Sequence, residues 1–117
     1  MSQFDLANLQ HILGTMRLVE TYLDHVSEEE YTSDPILQEG MIRLLDFISE
    51  TSRHISDDLK EEHPAFPWQD LSDLNNRGSA SAAGVDKAET WVTASDRIPE
   101  LRKKVQSMVE DLKNGQP

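Results

Sequence analysis

The chain has 117 residues, a formal net charge of −11 from 11 Lys and Arg against 22 Asp and Glu, and no Cys. This is the size of one domain, and a chain this long buries about 65% of its extended surface, so it holds a core without staples. Disulfides, thiolate chemistry and sulfur-based zinc sites are excluded, and the charge works against nucleic-acid binding, which depends on cations that neutralise phosphates.

The start, "MSQFDLANLQHIL", is amphipathic. It predicts neither a signal peptide nor a membrane span, and with the missing cysteines it fits a cytoplasmic location. From Phe4 to Val26, Leu9, Ile12, Leu13, Met16, Val19, Leu23 and Val26 recur at helical spacing, which predicts a first helix with one buried face. "SEEEYTSDP" reads as a polar break, its Glu28-Glu29-Glu30 run solvated. Asp34-Pro35 is a strong helix start: an N-cap carboxylate, then Pro where a missing N–H costs nothing. The second helix carries Leu37, Met41, Leu44, Leu45, Ile48 and Ile55, and its stripe is interrupted at Thr51 and Ser52, which suggests a close crossing or a polar pocket.

"SDDLKEE", from Ser56 to Glu62, predicts a short helix with acids in its first turn. Pro67 starts another, expected to run to about Asn75. "NNRGSASAAG" is a breaker-rich loop. Asp86 is expected to cap the last helical region, where Ile98, Leu101, Val105, Met108, Val109 and Leu112 line one face and Gly115 lies past the end. Pro99 should kink or split that region. No window alternates at period two, and there is no internal repeat. The expected fold is all-α, a four- to five-helix up-and-down bundle formed as a single domain over residues 1–117.

Few side chains offer chemistry. The histidines are His11, His25, His54 and His63. His54 can share a helix face with Asp57 and Asp58, but a metal site needs a third strong ligand, and the ordinary reading is surface or capping histidines. No metal and no cofactor is expected. A phosphotransfer bundle would place a Lys three residues after an exposed His; His11 is followed by Ile-Leu-Gly and His54 by Ile-Ser-Asp. Arg102-Lys103-Lys104 reads as a solvated face beside Glu100 and Glu110. Trp68 and Trp91 flank the small-residue loop; at helix starts they serve as core anchors rather than base-stacking platforms. An acidic surface suits a basic protein partner.

The strings "MIRLLDFISETSRHISDDLKEEHPAFPWQDL", "GVDKAETWV" and "RIPELRKKV" resemble the HepT-like members of the HEPN superfamily, the toxin half of HEPN–nucleotidyltransferase modules. Arg43, Ile48, Glu50, Pro64, Pro67, Trp68, Gly84, Val85, Asp86, Trp91, Pro99 and Leu101 carry the likeness, with Ser49 where the family has Gly. The resemblance implies a HEPN-like bundle, a homodimer, a minimal nucleotidyltransferase antitoxin as partner, and metal-independent RNA cleavage by an Arg, a His separated from it by four residues, and a Tyr separated from the His by one. Such an Arg grips the scissile phosphate and such a His moves protons.

Counted from Trp68, those positions fall on Asn75, Ala80 and Ala82, with Asn76 next to the first. Shifting the register so that Arg77 supplies the cation leaves Ala82 and Gly84 in the other places. No register recovers a His, and Ala82 has no hydroxyl for an antitoxin to modify. Asn76, Arg77 and Glu50 remain as a residual site. The expectation is therefore a catalytically silent binding or regulatory subunit. The alternatives are a ribonuclease with relocated groups, Arg77 with His63 or His54, and a substrate-binding companion of a nucleotidyltransferase. RNA is a partner only in the first of these.

Overall fold

A computed structural model describes residues 3–74 and 87–115; it is helical throughout, with no strand among those residues. In chain order the elements are α1 (Gln3–His25), α2 (Glu28–Ser33), α3 (Pro35–Arg53), α4 (Asp57–Glu62), α5 (Trp68–Ser72), α6 (Lys87–Val92), a π-helical turn (Thr93–Arg97) and α7 (Ile98–Lys113).

The long helices α1, α3 and α7 form the body. Contacts at their ends set their directions. The Tyr22 hydroxyl, late in α1, donates to the Leu37 carbonyl, early in α3. Asp5, in the first turn of α1, meets Ser56, just past the end of α3. Arg102, early in α7, pairs with Glu20, late in α1. α1 is thus antiparallel to both α3 and α7, the up-and-down arrangement expected of this periodicity. Leu9, Ile12, Met16 and Val19 of α1, Met41, Leu45 and Ile48 of α3, and Ile98, Leu101 and Val105 of α7 close one apolar core. Burial of these side chains is the main stabilising term, each contributing about 1.5–3 kcal/mol relative to exposure.

The segment from Ser27 to Asp34 is not the irregular break its polarity suggests. It forms α2, because Ser27 and Glu30 make a reciprocal capping box, at 3.1 and 3.0 Å, and the acidic first turn faces the positive end of the helix dipole. The buried Gln38 amide serves the other end, donating to the Tyr31 and Thr32 carbonyls at 2.9 and 3.1 Å. Asp34 caps α3 through Ile36 N–H at 2.9 Å, with Pro35 as its first residue.

α5 stops at Ser72, short of Asn75. The cap expected of Asp86 lies outside the described residues. Pro99 splits the last helical region as its chemistry requires. Lacking an N–H, it cannot continue the regular ladder, and the preceding residues widen into a π-turn. After Asn114, Gly115 adopts a left-handed φ of 73°, the conformation that favours glycine at a helix end.

Candidate functional site

Five of the residues that sequence reasoning assigned to the site, Asn75, Asn76, Arg77, Ala80 and Ala82, lie outside the described residues. The sixth, Glu50, is exposed on α3. The structure does describe the two ends of the segment that carries the others.

The leading end is α5, held against α3. Ser49 Oγ donates to the Leu71 carbonyl at 3.1 Å, Ser52 Oγ lies 3.2 Å from Ser72 Oγ, and Arg53 donates to the Ser72 carbonyl at 2.9 Å. Ser49 and Ser52 are buried. Of the two small residues singled out in α3, Ser52 takes part in this contact, and Ser49 joins it where Thr51 was expected: short side chains let α5 approach, and their hydroxyls meet polar groups that packing removes from water.

The returning end is α6 and the π-turn. Trp91 packs against Tyr31 of α2, ring centroids 5.2 Å apart, and Thr93 and Ala94 are buried. The two ends meet at a small polar pocket lined by Asp70, Asp73, Leu74, Thr93 and Arg97. Arg97 is the cation of that lining, with two carboxylates beside it and no histidine. Sequence reasoning passed over Arg97. The available signal was Pro99, which places the π-turn, and with it Arg97, against the end of α5.

The histidines are dispersed. His11 is exposed on α1; His25 Nδ1 lies 2.8 Å from the Thr21 carbonyl at the end of the same helix. His54 and His63 are the C-caps of α3 and α4, and the His63 Nε2 is buried without a hydrogen-bond partner among the described residues. Among the described residues no three His, Asp or Glu side chains group as metal ligands, so His54 with Asp57 and Asp58 does not make a site. A cleft of about 450 Å³ between the α4–α5 connection and α7 brings His63 and Phe66 near Lys104, Ser107 and Asp111.

Both tryptophans act structurally. The Trp68 indole N–H donates to the His63 carbonyl at 3.0 Å and its ring lies 4.3 Å from that of Phe66. Arg102 departs from the solvated face expected of Arg102-Lys103-Lys104: it is half-buried, crossing to Glu20 and donating to Gln106 at 3.0 Å. Burial raises the Tyr31 phenol to about 12, against a lowering hydrogen bond from Thr90, with Tyr22 adding slightly. Burial, then the Asp34 charge, raises Tyr22 as well.

The sequence profile of the family described as "Ribonuclease HepT-like" matches residues 12–108, from the middle of α1 into α7. The chain belongs to the HepT-like family. Its HepT-like relatives include "Probable ribonuclease HepT" of Thermococcus cleftensis, 29% identical over 86% of this chain and 91% of that one. A "Putative RNase" of Caldanaerobacter subterraneus subsp. tengcongensis is 27% identical over 87% of this chain and 91% of that one. A Methanocaldococcus jannaschii protein, "Gamma-glutamylcyclotransferase and putative RNase", is 26% identical over 89% of this chain; the HepT-like chain spans about half of that relative, 47%. No solved structure matches. The profile runs through both ends of the 75–86 segment, so the family match covers the helices that frame it in this HepT-like chain. Among the described residues no helix is long and apolar enough to cross a membrane.

Proposed function

We propose that this chain is a HepT-like protein without ribonuclease chemistry of its own. It acts as a homodimeric regulatory subunit whose partner is a minimal nucleotidyltransferase, in a toxin–antitoxin type of module. One observation carries the reading: from Trp68 to Asp86 the sequence holds a single Arg, no His and no Tyr. A positioned acid–base side chain contributes about 10²–10⁴ in rate, and phosphate-stabilising charge a comparable factor. The polar pocket between α5 and the π-turn supplies Arg97 but no imidazole. The net charge of −11 favours a basic protein over RNA as the bound macromolecule.

The names of the relatives favour a second reading, a working ribonuclease. It requires His54 or His63 to act with Arg77, or a histidine to act with Arg97. Incubation of repurified protein with RNA separates the two. The proposal expects intact RNA, and co-purification with the nucleotidyltransferase from the native cell. Cleavage that survives repurification and vanishes in Arg77→Ala or His63→Ala establishes the ribonuclease instead.

A further inference from the structure

Two elements wall the cleft of about 450 Å³ beside α4. Lys104, Ser107, Met108 and Asp111 recur at i, i+3, i+4 and i+7, so one face of α7 sets them along a single wall. The facing wall is the α4–α5 connection, His63 to Pro67. Connections are ordinarily the loose part of a fold, but this one is fixed. Pro64 and Pro67 restrict their own φ. The Phe66 N–H donates to the His63 carbonyl at 3.1 Å, the Trp68 N–H to the Phe66 carbonyl at 2.8 Å, and the Trp68 indole to the His63 carbonyl. The cleft is therefore preformed and of the size that holds a ligand, with Pro64 and Ala65 exposed and the Phe66 ring half-buried beside Met108.

Its charges differ in what already answers them. Lys104 lies 3.8 Å from Glu100, one turn back on α7. Glu62 and Asp111 stand on opposite walls, both exposed, and neither carboxylate has a hydrogen bond or ion pair among the described residues. Asp58, one turn before Glu62 on the same side of α4, is exposed as well and extends the negative edge. His63, in the wall between, has its Nε2 buried without a hydrogen-bond partner among the described residues, a standing cost for a polar atom taken out of water. An apolar floor between unanswered carboxylates is complementary to a side chain with an apolar stem and a cationic head. Arginine suits it better than lysine, because a planar fork pairs with carboxylates and lies on an aromatic ring.

We propose that this cleft receives a basic, arginine-bearing segment of a protein partner, with the guanidinium between Glu62 and Asp111 and its stem on Phe66 and Met108. This rests on the reading of the chain as a subunit with a basic partner, and assigns that partner its contact. The same residues disfavour the other occupants. An acidic segment must compete with Glu100 for Lys104 and approach Glu62 and Asp111. A nucleic-acid strand brings phosphates to those carboxylates and finds a single amine among the lining residues.

NMR titration of the full chain with acetyl-Leu-Arg-amide tests the cleft, with acetyl-Leu-Glu-amide as the control and circular dichroism confirming the fold of each variant. The expected result is saturable shifts confined to the amides of His63, Ala65, Phe66, Ser107 and Asp111, with the arginine probe alone. Glu62→Gln combined with Asp111→Asn raises the Kd about fivefold or more. Ser107→Tyr, at an exposed position, fills the cleft without changing its charge and weakens binding as much. Lys104→Ala removes a repelling amine and does not weaken it. No localised shift, stronger binding of the glutamate probe, or loss of binding in Lys104→Ala overturns the proposal. The nucleotidyltransferase separates this failure from that of the functional reading. Its release by Ser107→Tyr and by Glu62→Lys supports the cleft. Equal binding to wild type and both variants overturns the cleft and leaves the subunit standing. RNA cleavage by the wild type overturns the subunit reading, and the probe titration then decides the cleft by itself.

Discussion

Asp5 accepts two hydrogen bonds from Ser56, fifty-one residues away, one from the backbone N–H at 2.9 Å and one from the hydroxyl. Asp5 is 1% exposed, and the same Ser56 oxygen accepts from Leu59 N–H, 3.2 Å away, to cap α4. One carboxylate in the first turn of α1 therefore fixes where α3 ends and α4 begins. Asp5→Ala removes a buried charge-assisted pair and leaves the Ser56 N–H without its partner, a loss of about 2–3 kcal/mol. Chemical denaturation should show that loss, with Asp5→Asn falling between the variant and the wild type.

Ser49 tests how α5 is held. Ser49→Ala loses the bond to the Leu71 carbonyl but gains helix propensity, so the net cost should be about 1 kcal/mol or less. Ser49→Leu pushes α5 off α3 and should cost about 1–3 kcal/mol. Limited proteolysis should then cut at Trp68–Leu74, which the wild type protects, and Trp68 fluorescence should shift.

The two tyrosines of the sequence predict an alkaline signature. Both phenols are raised above their ordinary value, Tyr31 to about 12. Because the raised group is neutral in the fold, its contribution is fully present below about pH 10 and is lost as pH rises through about 12. Titration of the phenolate absorbance should show Tyr31 still protonated at pH 10. Tyr31→Phe should flatten the loss of stability between pH 10 and 12.

Reinstalling family chemistry tests whether the frame still supports it. Ala80→His alone should leave RNA intact, since no cation is placed with it. The triple variant Asn75→Arg, Ala80→His, Ala82→Tyr should gain RNA cleavage, by about 10²-fold or more over the single variant. A gel assay with the repurified variants distinguishes them.

Much of the helical layout is local and could be read from one line of text. The Leu9-to-Val26 spacing, Asp34-Pro35, Ser56 and Pro99 each act within a turn or two, and each leaves its mark where expected. α2 was legible too, since Ser27 and Glu30 stand at capping-box spacing; its acidic run masked the signal. The missing imidazole between Trp68 and Asp86 is likewise a matter of sequence alone, and it underlies the proposed loss of catalysis.

Other features depend on residues far apart in the chain. That Ser49 and Ser52 receive α5, that Arg102 reaches Glu20, that Arg97 stands beside Asp70 and Asp73, and that Phe47 and Gly14 share one groove all follow from helices crossing at a distance. A hydrophobic stripe specifies which face turns inward, because burial is non-directional and follows period. It does not specify which helix that face meets, nor which outer residues become neighbours; those are set by the antiparallel packing of α1 with α3 and α7, and no local interaction encodes them.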